Sequence, residues 1–318
     1  MTRFALLVAL VLTLGLGGCG LAKSLGVGIF YDEADLPEEN VRRDLAYLPD
    51  GLPKHRLNLF LPLADSVRQR PWPVLVFVHG GGWTEGDRDL TYGGADLYNN
   101  VGRFFAARGI GTAVISYRLL PDVRWPAQVE DVAAALAWVQ NHAADWGGDP
   151  DAVTLMGHSA GGQLSARVAY DEDARQRAGA RPACGVVVVS GAALDLVDPA
   201  TWETGTEFDY YSVRFSPSRE RLDGPPAEPY AWQREASPVT YVTPEAPPTL
   251  IVTARGEGDL FRTQADALER TLGAAGVPTT RTVMPSRTHE LGVPDLSRDD
   301  RVVGPATVDF VRGLDCAR

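Results

Sequence analysis

The sequence predicts an α/β fold, a mostly parallel central sheet with helices on both faces. Three observations predict it. Short apolar runs alternate along the chain with stretches of helical periodicity, the pattern of successive β–α–β units. Several runs, among them Val74-Leu75-Val76-Phe77-Val78 and Val186-Val187-Val188-Val189, are apolar at every position, as strands covered on both faces must be. Glycine collects at the junctions between runs without a fixed period, which excludes a repeat array or a collagen-like chain.

The elements follow in order. Strands are expected over 55–61, 73–78, 111–116, 153–156, 185–190, 249–253 and 279–284. The clearest helix runs from Gln128 to Ala144, where Val129, Val132, Leu136 and Val139 recur at three- and four-residue spacing. With 318 residues, 45% of them apolar, the chain can bury one large core, so a single main domain is expected over residues 51–318. Residues 196–239 break the rhythm. This stretch is rich in Pro, Asp, Glu and Arg yet holds Trp202, Phe208, Tyr210, Tyr211, Phe215, Tyr230 and Trp232, and it reads as a cap-like insertion over the site. Together with Trp83 it is expected to line a substrate pocket.

The N-terminus carries Arg3 and an apolar run from Phe4 to Leu16, too short to span a membrane, and reads as a secretory signal over residues 1–18. The run closes on Leu16-Gly17-Gly18-Cys19, which resembles a bacterial lipobox. Cys19 is then the lipidated first residue of an exported protein held on a membrane, with residues 19–50 forming a tether and an edge element. Stable anchoring needs more than one acyl chain. A formal net charge of −11 removes the basic surface that a nucleic-acid backbone would require. Cys184 and Cys316 are expected to pair in the oxidising compartment an exported chain meets, on the face of the sheet away from the site.

Two motifs carry chemistry. Gly157-His158-Ser159-Ala160-Gly161 sets a serine between a buried strand and a helix. A nucleophile on so sharp a turn is held in a strained backbone conformation, and side chains two residues to either side would collide, so positions 157 and 161 call for glycine. Upstream, His79-Gly80-Gly81-Gly82-Trp83 follows the strand ending at Val78. Three consecutive glycines leave backbone N–H groups free to aim at one developing oxyanion.

With Ser116-Tyr117-Arg118-Leu119, Pro126-Ala127 and Glu130-Asp131, these motifs resemble the hormone-sensitive-lipase and carboxylesterase branch of the α/β-hydrolase superfamily, over roughly residues 50–315. Ser190-Gly191 and Asp195-Leu196 are similar to arylformamidases as well. The resemblance implies an α/β-hydrolase fold and oxyanion donors at Gly81, Gly82 and Ala160. It also implies a small acyl or aryl ester substrate and no metal or organic cofactor. In that fold the triad runs Ser, acid, His along the chain, and of the five histidines only His289 lies beyond Ser159. The acid is expected in Arg255-Gly256-Glu257-Gly258-Asp259, at Asp259 by its place just before the following helix, with Glu257 as the alternative. His158 is expected to point away from the site as a structural residue, and His79 to stabilise its own loop. Arg118 and Asp131 are expected to form a structural ion pair. An arylformamidase or a polysaccharide deacetylase would use the same machinery, and a non-catalytic binding lipoprotein is the reading from a different class.

Overall fold

The structure, a computed structural model, describes residues 33–67, 71–92, 95–201, 205–218, 229–285, 289–299 and 301–316. The signal, Cys19 and Trp202 lie outside these residues.

Eight strands form one sheet: β1 (Val41–Ala46), β2 (Arg56–Phe60), β3 (Trp72–Val78), β4 (Gly111–Ile115), β5 (Gly148–His158), β6 (Gly185–Val189), β7 (Thr249–Ala254) and β8 (Thr279–Met284). Their order across the sheet is β1-β2-β4-β3-β5-β6-β7-β8. The pairings β1·β2 and β2·β4 are antiparallel, and from β4 to β8 every pairing is parallel. The seven expected strands are all present with ends moved by a few residues. The largest shift is β5, which begins at Gly148 rather than near Val153. The expected edge element is the strand β1.

All seven residues of β3 are buried, and its side chains divide by alternation between two apolar layers. Val74, Val76 and Val78 pack with Val132, Leu136 and Val139 of α2 (Ala127–His142) and Leu164 of α3 (Ala160–Tyr170). Leu75 and Phe77 face the other way, toward Phe104 and Phe105 of α1 (Leu97–Ala106) and Val303, Val308 and Val311. Each such side chain taken fully from water contributes about 1.5–3 kcal/mol, so these two layers are the main cohesive term of the domain.

The parallel strands deliver their connecting loops to one edge of the sheet, where open α/β folds place ligand sites. The loop after β3 carries the glycine run, and the turn after β5 carries Ser159. The loop after β7 carries Glu257 and leads into α7 (Asp259–Ala274), and the chain beyond β8 reaches His289. Within the insertion, α5 (Gly205–Phe215) and α6 (Ala231–Ala236) are helical, short of a stretch at 219–228 outside the described residues; α4 (Glu172–Ala178) precedes β6. At the opposite edge, Cys184, just before β6, is joined to Cys316, just after α8 (Val303–Gly313), with Cα atoms 5.3 Å apart. The pairing expected from the sequence is therefore present, on the face expected.

Candidate active site

Ser159 sits between β5 and α3 with φ 57° and ψ −121°, a backbone conformation that costs a non-glycine residue of order 1–3 kcal/mol and persists only where its surroundings impose it. Here the glycines impose it. A Cβ on Gly157 would lie 2.1 Å from the Gly161 carbonyl oxygen, and one on Gly161 would lie 2.1 Å from the carbonyl oxygen of Val78 on β3. The turn can close against its neighbouring strand only without those side chains, as the spacing of the motif requires.

Ser159 and His289 line one cavity of about 700 Å³ together with Gly81, Gly82, Tyr98 and Phe261. The His289 ring stacks on Phe261 from the first turn of α7, with centroids 3.9 Å apart and planes 16° apart. On another side lies His158, whose ring centroid is 4.8 Å from that of His289 and whose Nε2 is 3.3 Å from the His289 carbonyl oxygen. This corrects one expectation: His158 does not point away from the site but borders the cavity and braces His289. Burial first, then the neighbouring His289, lowers the His158 pKa to about 3, so it is a neutral ring at physiological pH.

The glycine loop is held by aromatic stacking. His79, fully buried, approaches the Gly80 carbonyl oxygen through Nδ1 at 2.7 Å and stacks on Tyr117 at 4.2 Å, while the Tyr117 hydroxyl donates to the His79 carbonyl oxygen at 3.1 Å. Burial brings its pKa down to about 4. His79 thus serves its own loop, as expected. Gly81 and Gly82 adopt φ of 112° and 58°, and Trp83 follows at 63°. The Trp83 side chain is fully buried, donates from Nε1 to Gln163 Oε1 at 3.0 Å, and meets Phe215 of the insertion edge-on at 4.8 Å. Ala160, the first residue of α3, presents its amide at a helix N-terminus, where backbone N–H groups have no intrahelical acceptor.

The acid is where the structure departs from the sequence expectation. Asp259 opens α7 with its carboxylate 63% exposed and paired with Arg262 one turn on, so it faces solvent and not the cavity. Glu257, two residues earlier, is buried at 2% exposure beside Ser190 at the end of β6. The neighbouring Ser190 hydroxyl favours the ionised form in part, yet neither carboxylate oxygen has a well-formed hydrogen bond among the described residues. Desolvation dominates and raises the Glu257 pKa above its ordinary value. The structure therefore separates the two candidates by burial: Asp259, the expected acid, is an exposed ion pair at a helix start, and Glu257, the alternative, is enclosed.

Away from the cavity, Arg118 and Asp131 form the expected structural pair. Asp131 is 1% exposed and receives Arg118 Nη2 at 2.6 Å, Nε at 2.9 Å and the backbone N–H at 2.8 Å, with His55 Nε2 at 3.1 Å. The insertion borders the cavity through Glu207, Tyr210, Tyr211 and Arg214 of α5, and Trp83 does so from the glycine loop, as expected. Sequence reading singled out the aromatic residues but missed Arg214, Tyr98 and Phe261 as site residues. The four-residue spacing of Tyr210 and Arg214 was the one local signal for the first; nothing local marked the other two.

A model of the BD-FAE family matches residues 57–272. Among curated proteins the chain is similar to Esterase LipQ of Mycobacterium tuberculosis, 29% identical over 84% of this chain and 61% of that protein. It is also similar to Carboxylesterase NlhH of the same species, 38% identical over 42% of this chain and 39% of that protein. The chain therefore spans less than two thirds of the length of these relatives. Among solved structures, Esterase B from Lactobacillus rhamnosis in a tributyrin phosphonate-inhibited form superposes with a TM-score of 0.68 at 21% identity, covering 92% of this chain and 89% of that one. A truncated carbohydrate esterase from gut microbiota superposes with a TM-score of 0.66 at 18% identity, covering 88% and 98%.

Proposed function

Because this chain belongs to the BD-FAE family and has the α/β-hydrolase fold, we propose that it is a serine esterase that hydrolyses small acyl or aryl carboxylic esters through an acyl-enzyme on Ser159. The observation that carries the reading is the strained Ser159 backbone, which opens the nucleophile into the same cavity as His289 and the glycine loop. His289 takes the Ser159 proton as its oxygen attacks the ester carbonyl, and the resulting oxyanion is received by the amides of Gly81, Gly82 and Ala160. The tetrahedral intermediate collapses as His289 returns the proton to the departing alcohol. Water, deprotonated by the same imidazole, then attacks the acyl-enzyme, and a second collapse releases the acid and restores Ser159.

Glu257 is the acid that holds the His289 imidazolium. Its burial, and its place on the loop that leads into the helix bearing Phe261, support the assignment. The apolar and aromatic cavity walls, Trp83, Tyr98, Tyr211 and Phe261, suit an acyl or aryl group. The Leu-Gly-Gly-Cys sequence supports export and anchoring through lipid on Cys19, so that the enzyme acts from a bacterial membrane surface. Conversion of Cys19→Ser is expected to move the protein from the membrane fraction to the soluble exported fraction; retention at the membrane would refute the anchor.

The deciding experiment compares wild type and Ser159→Ala on p-nitrophenyl acyl esters, N-formyl-kynurenine and acetylated xylan. Ester turnover and fluorophosphonate labelling are expected in the wild type and are lost in a folded Ser159→Ala protein. Turnover that survived that substitution would overturn the assignment, and a preference for the formamide or the xylan would move the substrate class.

A further inference from the structure

The oxyanion loop does not hold its shape unaided. Gly81, Gly82 and Trp83 have consecutive positive φ values, and for Trp83 that conformation is strained. Such a run survives where its polar atoms and side chains are fastened, here by the turn that follows it and by the body of the fold. The Gly81 carbonyl accepts from the amides of Thr84 and Glu85 at 3.1 and 3.0 Å, the Trp83 carbonyl accepts from the Leu120 amide at 2.8 Å, and the Trp83 indole donates to Gln163. The carbonyl between them is fastened differently. Arg214, on α5 of the insertion, donates from Nε to the Gly82 carbonyl oxygen at 3.1 Å.

The same guanidinium is itself held. Its Nη1 donates to the Tyr210 carbonyl oxygen at 2.9 Å, and its Cζ lies over the Tyr210 ring one helical turn away, 3.4 Å from the centroid. The Tyr210 hydroxyl in turn fills the space beside Gly82, where a Cβ would come within 2.6 Å of it. The i, i+4 pair therefore grips Gly82 from two sides: a hydrogen bond fastens its carbonyl, and an aromatic hydroxyl closes the void beside its α-carbon.

We propose that Arg214 is a positioning residue for the oxyanion hole, acting through the Gly82 peptide, so that the insertion takes part in the chemical step as well as in lining the pocket. The proposal rests on the esterase reading above. Fastening the Gly82 carbonyl fixes the plane of the Gly82–Trp83 peptide, and with it ψ of Gly82 and the strained φ of Trp83; the Gly81 carbonyl bonds hold the preceding plane, which carries the Gly82 N–H, so the Gly82 α-carbon is clamped between two fixed planes and that N–H cannot swing. Donors to an oxyanion act by being aimed before the charge develops, and a displacement of about 1 Å can cost on the order of 10² in rate. The ground-state carbonyl needs this aim far less than the oxyanion does, so a loss should appear in kcat more than in KM.

The test compares Arg214→Met, Arg214→Lys and Tyr210→Phe with wild type on p-nitrophenyl butyrate and against an aryl trifluoromethyl ketone, which forms an oxyanion-bearing hemiketal on the active serine. For Arg214→Met, kcat is expected to fall about 10- to 100-fold with KM within about threefold, and ketone affinity to fall in proportion to kcat/KM. Lysine can still donate to the Gly82 carbonyl but cannot reproduce the planar stack, so Arg214→Lys should recover a large part of the loss. A rise in KM at unchanged kcat would make Arg214 a substrate contact and overturn the proposal, as would unchanged kinetics in both Arg214 variants. If Arg214→Met does not fold, Arg214→Lys and Tyr210→Phe carry the same comparison: proportional losses in kcat and ketone affinity support the proposal, and wild-type values in both refute it. Failure of the esterase reading has a separate signature, full turnover by Ser159→Ala, which does not depend on the outcome at position 214.

Discussion

Glu257 and Asp259 stand two residues apart, and exchanging each carboxylate for its amide is expected to give opposite outcomes. Glu257 is 2% exposed beside Ser190, whereas the Asp259 carboxylate is 63% exposed and engaged with Arg262. In a comparable Ser-His-Asp triad, loss of the acid's charge lowered kcat about 10⁴-fold, which corresponds to about 5.4 kcal/mol of transition-state stabilisation. Glu257→Gln is expected to lose activity on that scale. Asp259→Asn removes only a surface pair worth well under about 1 kcal/mol and should cost less than about tenfold. Stability separates a catalytic loss from misfolding. A carboxyl whose folded pKa is raised above its unfolded value binds its proton more tightly in the native state. Its stabilising effect is present below the unfolded pKa, near 4.5, and is lost as pH rises through the folded one. At pH 7, then, burying the Glu257 charge is a net cost, and Glu257→Gln should melt no lower than wild type while being nearly inactive. The assay is steady-state kinetics on p-nitrophenyl butyrate with thermal melts of all three proteins at pH 7. A Glu257→Gln enzyme retaining more than about a tenth of wild-type kcat, with Asp259→Asn severely impaired, would refute the argument and return the role to Asp259.

Other outcomes follow from the same geometry. Phe261→Ala removes the face on which His289 stacks and should lower kcat by roughly 2- to 12-fold, the kinetic equivalent of an aromatic pair worth about 0.5–1.5 kcal/mol; an unchanged kcat would show that the stack does not orient the ring. Burial keeps His79 and His158 neutral down to about pH 4 and 3, so neither ring should contribute an ionisation to kcat/KM above pH 5, and an ionisation in that range that disappears in His158→Gln would contradict this. Depressed histidine pKa values also make stability fall as pH drops below about 6.5, the unfolded value, which melts between pH 7 and 4 will test. Reduction, or the double substitution Cys184→Ser/Cys316→Ser, opens a closure of 132 residues and should destabilise by up to about 5 kcal/mol in the chain-entropy account; two free thiols in the denatured, unreduced protein would show that the bond does not form.

Where the determinants are local, reading the sequence sufficed. The short apolar runs of β3 and β6 are buried at every position, as strands covered on both faces must be, and Gly157 and Gly161 are dictated by the turn that Ser159 occupies. Chain order in the resembling fold leaves one histidine, His289, as the candidate base, and it lines the same cavity as Ser159. Only the folded chain separates the two carboxylates by burial. Gly258 lies between them with φ −59° and ψ 162°, and α7 begins directly after it, so one carboxylate is sealed under the loop while the other rides the exposed first turn. That difference arises from how α7 docks on the sheet, which no spacing of Glu, Gly and Asp encodes. His158 braces His289 across 131 residues of chain, and Arg214 grips Gly82 across 132. Periodicity and motif spacing report on neighbours within a few residues, whereas contacts at such separations depend on the packing of every element between them.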